Sequence, residues 1–190
     1  MEAEGTIRAM MDELAAAIGR IDPSHLEAIA QIAEVLGEAF ECGRSAWVIG
    51  NGGSAADAQH IAGELAGRFR RDRRPLSCAA LTVDTSVITA IGNDFDFEQV
   101  FARQVQALGR AGDVLWALST SGRSPNILAA ARAARAADLR IVAMTGSSGG
   151  DLAGLADACF LAPAERTDLI QQLHQAAYHA VCELLDQRFA

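Results

Sequence analysis

Short apolar runs alternate with longer alanine-rich segments from about residue 46 onward, and this alternation constrains the fold more than any other feature. Strands that alternate with helices usually join in parallel, and the helices then cover both faces of the sheet. We therefore predict an α/β fold, a doubly wound, mostly parallel five-stranded sheet flanked by helices. The five candidate strands lie in "AWVIG", "CAALTV", "DVLWALS", "RIVAMTG" and "ACFLAP".

Helical patterns precede and follow this alternating region. Two lie before the first strand, at residues 6–18 and 24–41, and a long closing helix is predicted over residues 167–189. The segment "DPS" predicts Asp22 or Ser24 as the cap of the second helix, with Pro23 in its first turn. We divide the chain into a helical extension, residues 1–44, that packs on the domain and on a subunit interface, and an α/β domain, residues 45–190.

Charge and composition exclude several classes of function. The formal net charge is −8, which argues against a general binder of nucleic acid or of a membrane surface. The one basic run, residues 68–74, is interrupted by Asp72, and we interpret it as a solvated loop. All 16 basic residues are arginine. Without lysine, neither Schiff-base chemistry nor a Walker-type phosphate site is available.

The cysteines and the apolar segments indicate the compartment. The four cysteines are far apart and show no CxxC spacing, so we interpret them as reduced packing residues. The N-terminal segment is acidic and amphipathic, unlike a secretory leader, and no stretch offers about 18 uninterrupted apolar residues. We expect a cytoplasmic protein that does not enter a membrane.

Two similar loops follow predicted strands and lead into helices, "GNGGSA" at residues 50–55 and "STSGRS" at residues 119–124. Glycines allow close approach of the backbone to a ligand, hydroxyls donate hydrogen bonds, and a helix N-terminus adds exposed N–H groups. Such loops suit a phosphate monoester, although either one alone is also compatible with a simple strand-to-helix turn capped by serine. The first loop lacks the GxGxxG pattern and its acidic partner, so we expect no nucleotide cofactor.

Several segments, in order and spacing, resemble the sugar isomerase (SIS) family of phosphoheptose isomerases, from Trp47 to the C-terminus. They are "IGNGGSAADAQHIAGEL", "IGNDFDFEQVFARQV", "LSTSGRSPNIL", "MTGSSGGDLAGLAD" and "DLIQQLHQAAYH". The resemblance implies a homotetramer that converts sedoheptulose 7-phosphate to D-glycero-D-manno-heptose 7-phosphate, with zinc in the site of some members. Residues 45–190 would form the SIS domain. Leu169 is a departure, since the family often has arginine there.

The resemblance also assigns roles by matching position. It implies catalytic roles for Glu64 and His179 and a metal-binding cluster of His60, Glu64, Gln171 and His179. Asp168 is a candidate for orienting a substrate hydroxyl, and Glu64 and Gln171 are included among the substrate contacts. The remaining residues expected to contact the sugar phosphate are Asn51, Gly52, Gly53, Ser54, Asn93, Asp94, Ser119, Thr120, Ser121 and Ser124.

The residues of the cluster also suit this reaction on chemical grounds, independently of the resemblance. His60 and Glu64 are four residues apart, so they project from one face of the helix after the first loop. Aldose–ketose isomerisation moves a proton between adjacent carbons and needs a base near the carbons and an acid or metal near the oxygens. Glu64 can act as the base, but tight metal binding would reduce its freedom to do so. His174 has no implied role, and we interpret it as a contact or packing residue.

The spacing on the last helix suggests a shared site. Gln171 and His179 are eight residues apart, about 12 Å along a helix at roughly 1.5 Å per residue. Metal bonds of about 2 Å leave little room for both to reach one ion from one helix. We therefore hypothesise that a neighbouring subunit supplies at least one member of the cluster.

Two alternatives belong to other classes of function. One is a non-catalytic SIS protein that binds the bacterial replication initiator and has stretches like "SAADAQH" and "AGDVLWALST". Proteins of that type lack equivalents of Glu64 and His179. The other is a sugar-phosphate-sensing module, but no DNA-binding helix pair or basic face accompanies the domain.

Overall fold

In a computed structural model, which describes residues 2–190, five strands form one parallel sheet in the order β2-β1-β3-β4-β5. The predicted α/β fold is confirmed, because each of the five apolar runs supplies one strand. The strands are β1 (Ala46–Ile49), β2 (Cys78–Ala80), β3 (Val114–Ser119), β4 (Arg140–Gly146) and β5 (Ala158–Ala162).

Helices join the strands and flank them. The first two begin before the predicted positions, at Glu2 and Pro23, and the last spans the predicted residues 167–189. Asp22 caps the second helix by accepting hydrogen bonds from the backbone N–H groups of Ser24 and His25. The helices are α1 (Glu2–Ile18), α2 (Pro23–Glu41), α3 (Gly53–Ala66), α4 (Thr85–Asp94), α5 (Ala102–Leu108), α6 (Pro125–Ala136), α7 (Gly150–Ala153) and α8 (Thr167–Phe189), with a 3-10 turn at Phe97–Gln99.

The core lies in two layers, one on each face of the sheet. One layer joins α2, α3 and α8 to strand residues such as Trp116, and the other joins α5 and α6 to strand residues such as Leu115. Successive side chains of a strand point to opposite faces, so a strand covered on both sides is apolar throughout. All six residues of β3 are buried, and the first five are apolar for this reason. The covering helices also bring α3 and α8 together on one face.

The first helix differs from the second in its packing. Helix α2 contributes Ile32 and Leu36 to the core, whereas Ala17 is the one buried residue among those of α1 that the structure describes. The large side chains of Ile7 and Met11 on α1 are more than half exposed. Among residues 2–190, no helix combines the length and hydropathy needed to cross a bilayer.

Candidate active site

The direction in which the chain winds changes at β1. Strand β2 pairs with one edge of β1 and β3 pairs with the other, so the loops that follow β1 and β3 diverge at the carboxyl edge of the sheet. In open α/β sheets, a crevice at such a point is the usual ligand-binding position. A cavity of about 270 Å³ lies there. It is lined by Asn51, Gly52, Gly53, Ser54, Leu118, Ser119, Thr120, Ser124, Thr167 and Gln171.

The first loop brings backbone close to this cavity. Gly52 has a φ of +56°, in the region that favours glycine. Gly53 begins α3, and a Cβ atom there would lie 2.5 Å from Nε2 of Gln171. The two amides of Asn51 and Asn126 exchange hydrogen bonds of 2.9 and 2.8 Å, which ties this loop to the start of α6. The loop therefore exposes the positive end of α3 to the cavity.

The second loop supplies hydroxyl groups from the end of β3. Ser119 and Ser124 have their Oγ atoms 3.2 Å apart, and Ser121 Oγ accepts a hydrogen bond from the backbone N–H of Arg123. Gly122 has a φ of +61° and packs directly against the backbone of Gly149. Eight of the residues predicted to contact the substrate thus line one cavity: Asn51, Gly52, Gly53, Ser54, Ser119, Thr120, Ser124 and Gln171.

A second group of polar side chains lies where α3 and α8 pack together. Nε2 of His60 is 3.1 Å from Oε1 of Glu64, and the ring centroids of His60 and His179 are 5.1 Å apart. One potential ligand atom from each of the three residues lies within 4.8 Å of the others. The spacing of four residues on α3 places His60 and Glu64 on the same face, as the sequence predicts. One chain therefore brings these three residues together.

The surroundings of this cluster favour neutral imidazole at His179. Partial burial lowers the pKa of His179, the positive potential of His60 lowers it further, and Glu64 raises it. The ring of Phe69 stacks on His179 at a centroid distance of 5.3 Å and holds its orientation. Neutral imidazole has a free lone pair, so His179 can accept a proton or bind a cation.

Gln171 lies beside the first loop. Its amide packs against Gly53, two helical turns before His60, while His179 is two turns further along α8. The long helix thus presents an amide to the cavity and an imidazole to the cluster. The role of Gln171 as a metal ligand stays a prediction.

The remaining predicted contacts lie outside the cavity in the part of the chain that the structure describes. Asn93 and Asp94 end α4, where Nδ2 of Asn93 donates to the Asp94 carboxylate over 2.8 Å. Asp168 pairs with Arg166, and the hydrogen bonds from that guanidinium lower the pKa of the carboxyl group. Arg166 also pairs with Glu13 on α1. Ser121 belongs to the second loop without lining the cavity.

Most of the basic run is an exposed loop, as the sequence predicts, but Arg73 is an exception. Arg73 and Asp186 are both wholly buried at the side chain and paired over 2.8 Å. The Arg73 guanidinium also donates to the backbone carbonyls of Glu64 and Leu65, near the end of α3. The prediction is wrong for Arg73 because arginine spacing does not reveal that a carboxylate of α8 and backbone carbonyls of α3 lie next to that side chain.

His174 is a packing residue, in agreement with its interpretation from the sequence. It is fully buried, and its Nε2–H donates to the carbonyl oxygen of Thr145 over 3.0 Å. Burial lowers the pKa of His174 to about 4, against an ordinary value of 6.5, so the ring is neutral near pH 7. Although it lies five residues from His179 on α8, it takes no part in the cluster.

Sequence reasoning missed three polar residues beside the site, Asp57, Asn126 and Tyr178. Asp57 lies one turn before His60 on α3, and the Tyr178 hydroxyl lies 3.0 Å from Nδ1 of His60. Asn126 contacts the first loop from α6. The spacing of three between Asp57 and His60 is visible in the sequence, but the contacts of Asn126 and Tyr178 depend on how separate elements pack.

Comparisons with known proteins identify the family of this chain. Residues 10–146 match the family model described as SIS domain. The phosphoheptose isomerase of Bradyrhizobium sp. strain BTAi1 is 49% identical over 165 residues, which cover 87% of this chain and 83% of that protein. The phosphoheptose isomerase of Roseiflexus sp. strain RS-1 is 47% identical and covers 95% of this chain and 93% of its own length.

Two solved structures share the whole fold at substantial identity. Phosphoheptose isomerase from Neisseria gonorrhoeae has a TM-score of 0.92 and 40% identity, with 97% of this chain and 99% of that chain covered. Phosphoheptose isomerase from Francisella tularensis has a TM-score of 0.91 and 36% identity, with 98% and 100% covered. The chain belongs to the SIS domain family and, within it, to the phosphoheptose isomerases.

Proposed function

We propose that this enzyme converts sedoheptulose 7-phosphate to D-glycero-D-manno-heptose 7-phosphate by proton transfer through an enediol. The observation that carries the proposal is the proximity of three side chains, His60 and Glu64 on α3 and His179 on α8. One potential ligand atom from each lies within 4.8 Å of the other two. The curated relatives support an enzyme over the initiator-binding alternative, since they are phosphoheptose isomerases.

The two groups of residues suit the two ends of the substrate. The loop hydroxyls of Ser119 and Ser124 and the N-terminus of α3 bind the phosphate. His60 lies seven residues after Gly53, about 10 Å along α3 at roughly 1.5 Å per residue. This separation is comparable to the length of an extended seven-carbon sugar phosphate, so the reacting carbons reach the cluster while the phosphate is held in the loops.

Each proton transfer in the mechanism has a candidate group. Glu64 removes a proton from C1 of the ketose, which creates the enediol, and then delivers a proton to C2 of the aldose. His179 moves the accompanying proton from O1 to O2, a role that suits an imidazole whose lowered pKa keeps it neutral. The loops and Gln171 orient the sugar during both steps.

The cluster also fits a zinc ion in its choice of donors. His60, Glu64 and His179 offer two imidazole nitrogens and one carboxylate oxygen, the set found in one class of catalytic zinc site. A bound zinc ion would polarise the substrate oxygens and so support enediol formation. Gln171, the fourth predicted ligand, would add an amide oxygen to this set.

The exposed apolar side of α1 supports an oligomer. Ile7, Met10 and Met11 are 60, 48 and 57% exposed, and large apolar side chains clustered on a surface helix often mark an interface. We include in the proposal a cytoplasmic homotetramer in which residues 1–44 contribute to subunit contacts and residues 45–190 form the catalytic domain. The active sites lie beside those contacts, with Asn93, Asp94 and Asp168 available to sugar hydroxyls.

The test is to incubate the purified protein with sedoheptulose 7-phosphate and measure formation of the aldose. The assay is run with zinc added and after removal of metal by a chelator. Aldose formation by the wild-type enzyme and none by Glu64→Gln supports the proposal. Absence of turnover under both metal conditions contradicts it, and binding of a replication initiator protein would then support the alternative.

A further inference from the structure

We propose that Tyr178 is a positioning residue whose hydroxyl group joins Asp57 to His60 and thereby prepares His60 to bind a metal ion. The inference rests on the proposed metal site. Its structural basis is a chain of three side chains from two helices. The Tyr178 hydroxyl lies 3.0 Å from Nδ1 of His60 and 3.4 Å from Oδ1 of Asp57.

Packing holds the phenol ring in place. Tyr178 is fully buried, and its ring meets the ring of His60 edge-on at 5.5 Å and the ring of His179 at 4.8 Å. Asp57 and His60 are three residues apart on α3, so both side chains project from the same face of that helix, about one turn apart. The hydroxyl is therefore confined to a position between the carboxylate and the imidazole.

This contact determines which nitrogen of His60 faces the cluster. Nδ1 is directed toward Tyr178, and the opposite nitrogen, Nε2, is directed toward Glu64 at 3.1 Å. A neutral imidazole has one N–H group, so a partner at one nitrogen selects the state of the other. For Nε2 to offer its lone pair to a cation, Nδ1 must carry the hydrogen.

The three groups can accommodate that hydrogen. When Nδ1–H donates to the Tyr178 oxygen, the Tyr178 O–H donates in turn to Asp57, and every donor has an acceptor. Without a cation, Tyr178 O–H can donate to Nδ1, and Nε2–H can donate to Glu64. A carboxylate behind a metal-binding histidine orients the ring and makes it a better ligand. In this protein the Tyr178 hydroxyl lies between Asp57 and His60, and through it the carboxylate orients the His60 ring.

Removal of the hydroxyl group alone tests the inference. Tyr178→Phe retains the ring, and we expect zinc affinity to fall by about 10- to 100-fold, the usual effect of losing such a partner. Asp57→Asn should weaken binding less. In the Tyr178→Phe background, Asp57→Asn should have no additional effect, because Asp57 acts through the hydroxyl.

Zinc affinity of the full-length variants is measured by competition with a chromophoric chelator. His174→Gln is the matched control, since it alters a buried polar residue one turn earlier on α8 that does not contact the cluster, and its affinity should equal that of wild type. Unchanged affinity in Tyr178→Phe, or additive losses from the two substitutions, overturns the inference. If wild type binds no zinc, the proposed metal site fails and the inference fails with it.

A second measurement uses the wild-type sequence and does not depend on whether a variant folds. Tyr178 is the one tyrosine in the chain. A sample with ¹³C at the tyrosine Cζ atom therefore gives a single NMR signal that reports hydrogen bonding of this hydroxyl. We expect the signal to shift as zinc saturates the protein. A signal that does not change while zinc binds would overturn the inference and leave the metal site intact.

Discussion

Oδ1 of Asp186 lies 2.8 Å from Nε of Arg73, and neither side chain is accessible to solvent. The other carboxylate oxygen accepts hydrogen bonds from the backbone N–H groups of Arg70 and Arg71 at 2.7 and 2.8 Å. Burial raises the pKa of Asp186, but these donors and the Arg73 guanidinium outweigh it and lower the pKa. The pair joins α8 to the loop that ends at β2 and to the final turn of α3.

We predict that Asp186→Asn lowers the free energy of unfolding by about 3 kcal/mol, because it leaves the Arg73 charge buried without its partner. Urea unfolding near pH 7 measures the change. Glu183→Gln is a matched control one turn earlier on α8, where the partly exposed carboxylate pairs with Arg71. Its effect should be below about 1 kcal/mol. Equal effects of the two substitutions would contradict a special role for the buried pair.

Because His174 is buried, we predict that the free energy of unfolding depends on pH. Its pKa is about 4 in the folded protein and ordinarily 6.5, so the unfolded chain binds a proton that the folded protein does not bind between these values. Stability is therefore lost as pH falls through this window, by about 1.4 kcal/mol per pH unit. Above the window, this histidine contributes no pH dependence.

We expect His174→Gln to lack this component. The difference in unfolding free energy between wild type and variant should shift by about 2 kcal/mol in favour of the variant between pH 7 and roughly pH 5. Urea titrations at both pH values measure it. A difference that stays constant over this range would show that His174 is not buried and neutral in the folded protein.

Glu64→Gln should abolish proton exchange at the substrate carbons. Glutamine has nearly the same size and still accepts hydrogen bonds, but it lacks the basic carboxylate. The measurement is incorporation of deuterium into sedoheptulose 7-phosphate in deuterated water, with circular dichroism to check the fold. Exchange at the wild-type rate would exclude Glu64 as the base. Loss of exchange at unchanged zinc affinity would separate its role as base from a role as ligand.

Ser119→Ala and Ser124→Ala should weaken binding of the phosphorylated sugar more than they reduce turnover. Each lost hydrogen bond is worth about 1 kcal/mol, which corresponds to roughly five-fold in KM. Ser45→Ala is the control, since Ser45 precedes β1 at the opposite edge of the sheet and bonds to Ser77. A fall in kcat at constant KM would contradict a role for these hydroxyls in binding phosphate.

Co-expression of Glu64→Gln with His179→Ala tests which chain supplies each residue. Because one chain brings Glu64 and His179 together, every site in a mixed oligomer should retain one defect. We therefore expect mixed oligomers, purified with two different affinity tags, to remain as inactive as either parent. Recovery of activity would show that the functional sites combine these residues across subunits.

The fold was predictable because it follows from local patterns. Strands covered by helices on both faces are mostly apolar, as β3 is before Ser119, and helices can begin at capping residues, as α2 does after Asp22. The pairing of His60 with Glu64 was predictable for the same reason, since a spacing of four along a helix places two side chains on one face.

Contacts between distant elements were not predictable in this way. The contact between the Gln171 amide and Gly53 could not be inferred from the position of Gln171 on the last helix. We predicted that the whole basic run is solvated, but Arg73 within it is buried against Asp186, 113 residues away. Both outcomes depend on the exact position of α8 across α3, which no local spacing encodes.

By itself, therefore, the sequence determined the parallel sheet, the two loops after β1 and β3, and the shared face of His60 and Glu64, because each depends on residues close together along the chain. Only the tertiary structure decided that His179 completes their cluster within one chain, that Gln171 serves the loop cavity, and that Tyr178 links Asp57 to His60. The physical reason is that these contacts arise from the packing of α8 on α3, where burial and shape select the neighbours.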